Sequence, residues 1–312
     1  MKLKFTVLVT MIVFSLAMIQ CSDDNEGADG TGRLKVKMTD APSDDANVKG
    51  TFITVSEVKI DGKAVEGFRS QTIEISAYQQ GNAKLIIDED VEAKVYSKLT
   101  LVLDYQNDDA GNSPGCYVLT DDDVKHQLEA SATGEVTVDK SFQVTAGSMT
   151  ELVVDFDLRK SVVRDGGSSG EYKFVTSAEM KAAVRLANEG KCGVIKGKIN
   201  SSMSANESAV VFAYLKGHYN ESTETQAQGT SGVMFARAMT SAKVNADGSY
   251  QLSFLEEGDY EVHVASYKKD NAGKVTFRSM LNASSTTSGV LLSNIVIRAK
   301  SQISLNIDIS IL

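Results

Sequence analysis

Ile303-Ser304-Leu305-Asn306-Ile307-Asp308-Ile309-Ser310-Ile311-Leu312 alternates apolar and polar side chains almost to the end of the chain. A period of two puts the apolar residues on one face of an extended strand and the polar ones on the other. The pattern recurs upstream. Leu34, Val36 and Met38 alternate with Lys35 and Lys37, and Leu99, Leu101 and Leu103 with Thr100 and Val102. Leu152, Val154, Phe156 and Leu158 alternate with Val153, Asp155, Asp157 and Arg159. Turn dipeptides punctuate these runs at Asp61-Gly62, Asp247-Gly248 and Glu257-Gly258, with Asn271-Ala272-Gly273 beside them. Strands with one wet face and frequent turns predict antiparallel sheets packed as sandwiches, an all-β chain.

Helical periodicity is nearly absent. Asp121–Ala130 predicts at most a turn or two. Ser177–Leu186 contains helix formers (Ala178, Glu179, Met180, Ala182, Ala183) but reads here as the strand that closes a sandwich. Asn188-Glu189-Gly190-Lys191 is the natural boundary. It leaves one β-sandwich over 33–187 and a second over 191–312, joined too closely to swing freely.

The chain has 312 residues, formal charge −9, only two Pro and no Trp. That acidity argues against nucleic acid as a partner. Its first 20 residues have the form of an export signal. Lys2 and Lys4 precede an apolar run from Phe5 to Ile19, too short to span a bilayer. Cys21 follows, and Met18-Ile19-Gln20-Cys21 resembles the bacterial lipobox, in which the thiol is lipidated. Ser22, Asp23 and Asp24 open an acidic stretch resembling the surface-export signal of Bacteroidetes-type lipoproteins. Residues 21–32 are expected to form a lipidated flexible tether, and the protein to sit on the cell outer membrane, held by its N-terminal lipid and surface-exposed. Cys116 and Cys192 are the remaining cysteines. They are either a disulfide formed in an oxidising compartment or two unpaired thiols.

The segment Leu34-Lys-Val-Lys-Met-Thr-Asp-Ala-Pro42, with Thr54-Val-Ser-Glu-Val-Lys-Ile60, resembles the opening of an uncharacterised lipoprotein domain family that begins with an LTDAP motif. Val154-Asp-Phe-Asp-Leu-Arg-Lys-Ser161, then Gly166-Gly167 and Tyr172, is similar to that family's later DFD-x-x-K-S segment. The family has no established activity, so the resemblance implies fold and location. The second half, through Gly193–Ile199, Asp247–Leu252 and Glu257–Val262, is similar to the carboxypeptidase-regulatory or prealbumin-like sandwich. Such domains belong to a carbohydrate-binding-like fold group, and many serve only as spacers. The fold class implied is two immunoglobulin/prealbumin-like sandwiches after a lipoprotein signal peptide.

Catalytic patterns are missing. His263 alternates with Val262 and Val264 and reads as a solvated strand residue, and His126 lies in an acidic polar segment. Gly166-Gly167-Ser168-Ser169-Gly170 has the spacing of a nucleophile elbow but lacks the helix that such an elbow needs. No Cys/His metal spacing occurs, and no metal or cofactor is predicted. Asp121-Asp122-Asp123, Asp88-Glu89-Asp90 and Asn107-Asp108-Asp109 read as solvated turns, with calcium as the alternative. Asp155, Asp157 and Arg159 read as a surface ion-pair ladder, and Asp40 as a local turn cap. The long polar stretch after Leu215 is either a ligand loop or a flexible insertion. In the first reading Tyr219 stacks on a sugar while His218 and Asn220 donate hydrogen bonds.

These features predict a non-catalytic surface lipoprotein that recognises or scaffolds a glycan or protein polymer. One alternative is a subunit of a surface appendage, joined by addition of an edge strand such as the Ile303–Leu312 tail. The other is a hydrolase whose site gathers from distant strands.

Overall fold

The computed structural model describes residues 30–41, 48–128, 134–164, 172–200, 207–269 and 275–310. The export signal, Cys21, Ser22, Asp23 and Asp24 lie outside the described residues. So do Gly166–Gly170, the turn at Asn271-Ala272-Gly273, and the last two residues of the tail.

The main elements of the first half are β1 (Thr31–Thr39), β2 (Val48–Ile60), β3 (Lys84–Glu92), β4 (Leu99–Leu103), β5 (Tyr117–Thr120), β6 (Lys125–Gln127), β7 (Glu135–Val138), β8 (Met149–Phe156), α1 (Leu158–Ser161), α2 (Ser177–Ala183) and β9 (Val184–Asn188). One sheet runs β9-β8-β1-β3 and the other β7-β4-β2-β5-β6. Their inner faces meet through Leu34, Val36, Met38, Ile53, Val55, Leu99, Leu101, Leu152, Val154 and Phe156, all buried in one core. β1 begins inside the stretch expected to be tether. Ala93 N donates to Gly30 O and Gly147 N to Thr31 O, so the chain is already held there.

The second half comprises β10 (Cys192–Asn200), β11 (Glu207–Leu215), α3 (Glu221–Glu224), β12 (Thr240–Lys243), β13 (Ser249–Glu256), β14 (Gly258–Lys269), β15 (Val275–Met280), β16 (Asn282–Ser285), β17 (Ile295–Ile297), β18 (Gln302–Ser304) and β19 (Ile307–Ser310). Its sheets run β13-β10-β19-β16, with β18 also on β10, and β12-β11-β14-β15, with β17 on β14. The chain is all-β, built of two sandwiches, as the alternation predicts. In the tail Leu305 and Ile307 point into the core while Ser304, Asn306 and Asp308 are exposed. The tail is nevertheless partly enclosed within its sheet. β19 pairs with β16 along Ile307–Ser310 and with β10 at Ile307 and Asp308, so its first half is enclosed between two strands. Gly197 permits the close approach, because a Cβ there would lie 1.8 Å from the Leu305 carbonyl oxygen.

Two helix readings change. Ser177–Ala183 is a helix, not a strand. Thr176 and Glu179 form a capping box, with each side chain accepting from the other's backbone N–H. That local arrangement sets the first turn before tertiary packing acts. Asp121–Leu128 instead holds a turn and the short strand β6.

β8 and β11 are each buried on both faces over most of their length. In β8 the face opposite the core puts Val153 against Ala187, Cys192 and Phe254, so the second sandwich covers what alternation predicted to be wet. In β11 the outer face carries Phe212 and Tyr214, covered by Phe235 from the long loop between α3 and β12. Phe235 is fully buried and stacks on Phe212 with ring centroids 4.3 Å apart. Burial of that one side chain contributes about 2–3 kcal/mol.

Candidate functional site

The charged residues that follow β8 lie inside the molecule. Asp155 is 3% exposed, Asp157 2% and Arg159 8%, so the expected surface ladder is a buried network. The cause is the second sandwich, which closes over this end of the sheet. Asp155 stands opposite Arg185 in the β8/β9 register. Arg185 Nε donates to Asp155 Oδ2 at 2.9 Å, and its Nη1 donates to the carbonyl of Phe254 at 2.7 Å. Arg159 repeats the arrangement from α1. Its Nη2 reaches Asp157 Oδ2 at 3.3 Å and the Phe235 carbonyl at 3.3 Å, while Nη1 donates to the Met234 carbonyl at 2.7 Å. Its guanidinium also lies 5.1 Å from the Phe212 ring centroid. Lys160 Nζ pairs with Asp157 at 3.1 Å and donates to the Ala238 carbonyl at 3.0 Å. Arginine suits this role because its planar fork satisfies a carboxylate and carbonyls at once.

Asp40 completes the cluster. The helix N-cap residue, Asp157, makes no side-chain cap bond of its own. The α1 backbone N–H of Leu158 donates instead to Asp40 Oδ1 at 3.0 Å, and Gln79 Nε2 donates to Oδ2 at 3.1 Å. Asp40 is therefore a long-range cap and not a turn cap, because β1 ends beside α1. The quoted motifs around Asp40 and around Asp155–Ser161 thus meet at one place. Burial, with Asp157 and Asp155 nearby, pushes the Asp40 carboxyl well above the ordinary range. Burial raises Asp155 too, against the opposing pull of Arg185. The carboxylates of Asp155 and Asp157 pair with Arg185, Arg159 and Lys160, the pairing that a low-dielectric site requires.

A second contact comes from α2. Glu179, besides capping its own helix, accepts from Ser231 N at 2.9 Å and Ser231 Oγ at 2.6 Å. Burial disfavours its charge, but the bonds from Ser231 and Thr176 outweigh that and hold the carboxyl down at about 2. Gly229, at φ +66°, lies so close that a Cβ would sit 2.3 Å from Glu179 Oε1. Further out, Gln80 and Asn245 exchange side-chain bonds, Gln251 Nε2 donates to the Gln80 carbonyl at 2.8 Å, and Lys140 pairs with Glu256.

The stretch expected to bind ligand or to be a flexible insertion is thus mostly a docking element. Tyr219 is half-buried, with its ring stacked on His263 at 3.6 Å between centroids and edge-on to Tyr214. Its N–H donates to Glu261. One ring face is therefore already occupied by His263. His218 and Asn220 are exposed, and Asn220 precedes α3 as its N-cap residue. Glu224 at the end of α3 is fully buried, accepting from the Tyr214 hydroxyl at 3.0 Å and from Arg237 N at 3.1 Å.

His263 is not on a solvated face. Burial lowers its pKa against the opposing pull of Glu261. His126 is half-buried, hydrogen-bonded to Thr120 and edge-on to Tyr172. Cys116 and Cys192 are free thiols, so the disulfide alternative falls. Cys116 is buried in the first core, with Sγ 3.3 Å from the Asp104 carbonyl, and Cys192 sits at the junction, donating to Asn188 O. Among the described residues no group of three His, Cys, Asp or Glu side chains is placed to hold a metal. Asp108 and Asp122 accept local turn bonds and Asp88 pairs with Arg33.

Beside the network, a cleft of about 680 Å³ opens between the halves, lined by Val95, Lys140, Met149, Leu186, Lys191 and Lys300 among others.

Residues 31–175 match a family model, and that range takes in Asp40, Asp155, Asp157, Arg159 and Lys160. The match is to a domain of unknown function, DUF4382. The matched segment therefore supplies these five charged side chains to the junction, while Arg185 lies beyond its end and the second half contributes the carbonyls of Met234, Phe235, Ala238 and Phe254. No curated protein matches the chain. Solved structures similar to it include the Bacillus anthracis TIE protein, at 10% identity and TM-score 0.18 over 89% of this chain and 34% of that one. The chain thus spans about a third of the TIE protein's length. Others are BcpA, the major pilin subunit of Bacillus cereus (11%, 0.22, 90% and 69%), and the fimbrial anchor protein Mfa2 from Porphyromonas gingivalis (11%, 0.18, 88% and 90%). TM-scores this low say nothing of role.

Proposed function

We propose that this chain is a non-catalytic, lipid-anchored module of the bacterial cell surface whose two sandwiches act as one rigid body, recognising or scaffolding a glycan or protein polymer. The observation that carries this is the junction. Arg159 and Lys160, inside the DUF4382 match, and Arg185, beyond its end, cross from the first sandwich and end on main-chain carbonyls of the second. Buried, charge-assisted bonds of this kind resist hinge motion, because opening would strand ions in an apolar setting. A rigid body suits presentation and load-bearing better than closure over a substrate. His126 and His263 are each engaged in separate packing contacts, far from the form of a catalytic dyad. The short apolar signal and Cys21 supply the address.

The alternative, a surface-appendage subunit joined through the C-terminal strand, would have only the side of β19 past Asp308 to use, since β10 pairs with Ile307 and Asp308 and β16 with Ile307–Ser310. Anchoring is tested by Cys21→Ser expressed in an outer-membrane bacterium. Release of the variant into soluble fractions while wild type stays in the membrane supports the reading. Retention of the variant would overturn it.

A further inference from the structure

We propose that the cleft between the two sandwiches binds a carboxylate-bearing oligosaccharide, with Lys191 and Lys300 as its anion contacts. This rests on the recognition reading above and names the ligand class. A concavity of about 680 Å³ at a domain junction is in the usual range for small-ligand sites, ~300–1,000 Å³.

Its charge is unlike the rest of the molecule. The carboxylates lining it are already occupied: Glu256 pairs with Lys140, and Glu151 with Lys37. Lys191 and Lys300 line the same cleft, and neither has a carboxylate partner among the described residues. In a chain of net charge −9, two unneutralised ammonium groups in one concavity make a local positive potential. Lys300 is also fixed in place. Its backbone is held at φ +57°, and its N–H donates to the Cys192 carbonyl at 2.7 Å. A non-glycine residue keeps that conformation only where its surroundings impose it.

The remainder of the lining suits a sugar. Val95 is 64% exposed and Met149 55%, offering an apolar shelf to C–H faces. Gln143, Thr145 and Asn188 stand around it with hydrogen-bonding side chains. A peptide would instead add to a strand edge. Of the β8 residues lining the cleft, Leu152 is paired on both sides, whereas Met149, Thr150 and Glu151 pair with β1 alone, so the peptide arm of the titration is the necessary control.

The test is calorimetric titration of the full-length Cys21→Ser protein with an oligogalacturonate, a neutral dextrin of equal length and a polyglutamate peptide. The oligogalacturonate should bind, more weakly as salt rises. Lys191→Glu/Lys300→Glu should reduce that affinity tenfold or more while unfolding at the same temperature as its parent. The distant Lys243→Glu should leave affinity unchanged. Failure of the oligogalacturonate to bind would overturn the proposal. So would equal binding of the dextrin, full affinity in the double variant, or preference for polyglutamate, which would point to an acidic peptide. Membrane fractionation reads the anchoring separately, so either idea can fail alone.

Discussion

Arg185 Nη1 donates to the carbonyl of Phe254, a residue of the opposite half held at φ +53°. Arg159 does the same to Phe235, held at φ +54°. Each arginine is fixed by an aspartate at the end of β8, and each phenylalanine turns its carbonyl outward by adopting a left-handed backbone. Such conformations cost roughly 1–3 kcal/mol and persist where packing over-determines them. Here the packing is the junction.

Removal of one member of a buried pair leaves the other stranded. Arg185→Met should lower stability by about 3–5 kcal/mol in urea unfolding, since Asp155 loses its counter-ion and Phe254 its donor. Asp155→Leu with Arg185→Met should recover most of that loss. A double variant as weak as Arg185→Met alone would show that the cost is packing, not stranded charge.

Arg159→Ala should release the loop that ends near Arg237. Hydrogen bonds to charged groups contribute about 1.5–3 kcal/mol each, and 1.4 kcal/mol is a factor of ten. Tryptic cleavage after Arg237, which is exposed, should therefore quicken about tenfold or more under native conditions. An unchanged rate would mean that Phe235 alone holds the loop.

Glu179 gives the junction an acid limit. Its folded pKa of about 2 lies below the ordinary 4.5. A depressed carboxylate contributes stability above its unfolded pKa and loses it as pH falls toward the folded value. Glu179→Gln should therefore destabilise the protein at pH 7 and do so less at pH 2–3, followed by thermal melts.

Asp40 has the opposite sign. Its raised pKa means that the native carboxyl holds a proton which the unfolded chain gives up, so its contribution falls as pH rises through that window. Asp40→Asn, which can still accept from Leu158 N, should be at least as stable as wild type at pH 7. The two should converge near pH 4. A variant weaker at pH 7 than at pH 4, relative to wild type, would reverse the assignment.

Burial pushes Cys116 up to about 12 and Cys192 to about 11. Neither thiol should react with a disulfide reagent at pH 8 in the native Cys21→Ser protein, and both should react in denaturant. Native labelling of Cys192 would show that the junction opens.

The alternation at Leu34–Met38, Leu152–Phe156 and Leu305–Ile309 was enough to read sheets and sandwiches, because a period of two needs only local pattern and burial on one face. The capping box at Thr176 and Glu179 is also legible in principle, because it needs only residues three apart, and it overrides the strand expected there. The burial of Asp155, Asp157 and Arg159 is not legible for a different reason. A strand's wet face looks the same in sequence whether it meets water or a second domain.

The chain's own order of residues determined that it is all-β and that its C-terminal strand buries Leu305 and Ile307. Tertiary structure alone decided that the second sandwich covers β8, that Asp40 caps a helix on a distant segment, and that the loop around Phe235 docks. Periodicity is a property of neighbouring residues, whereas the partner of a buried charge is chosen by which surfaces close over it.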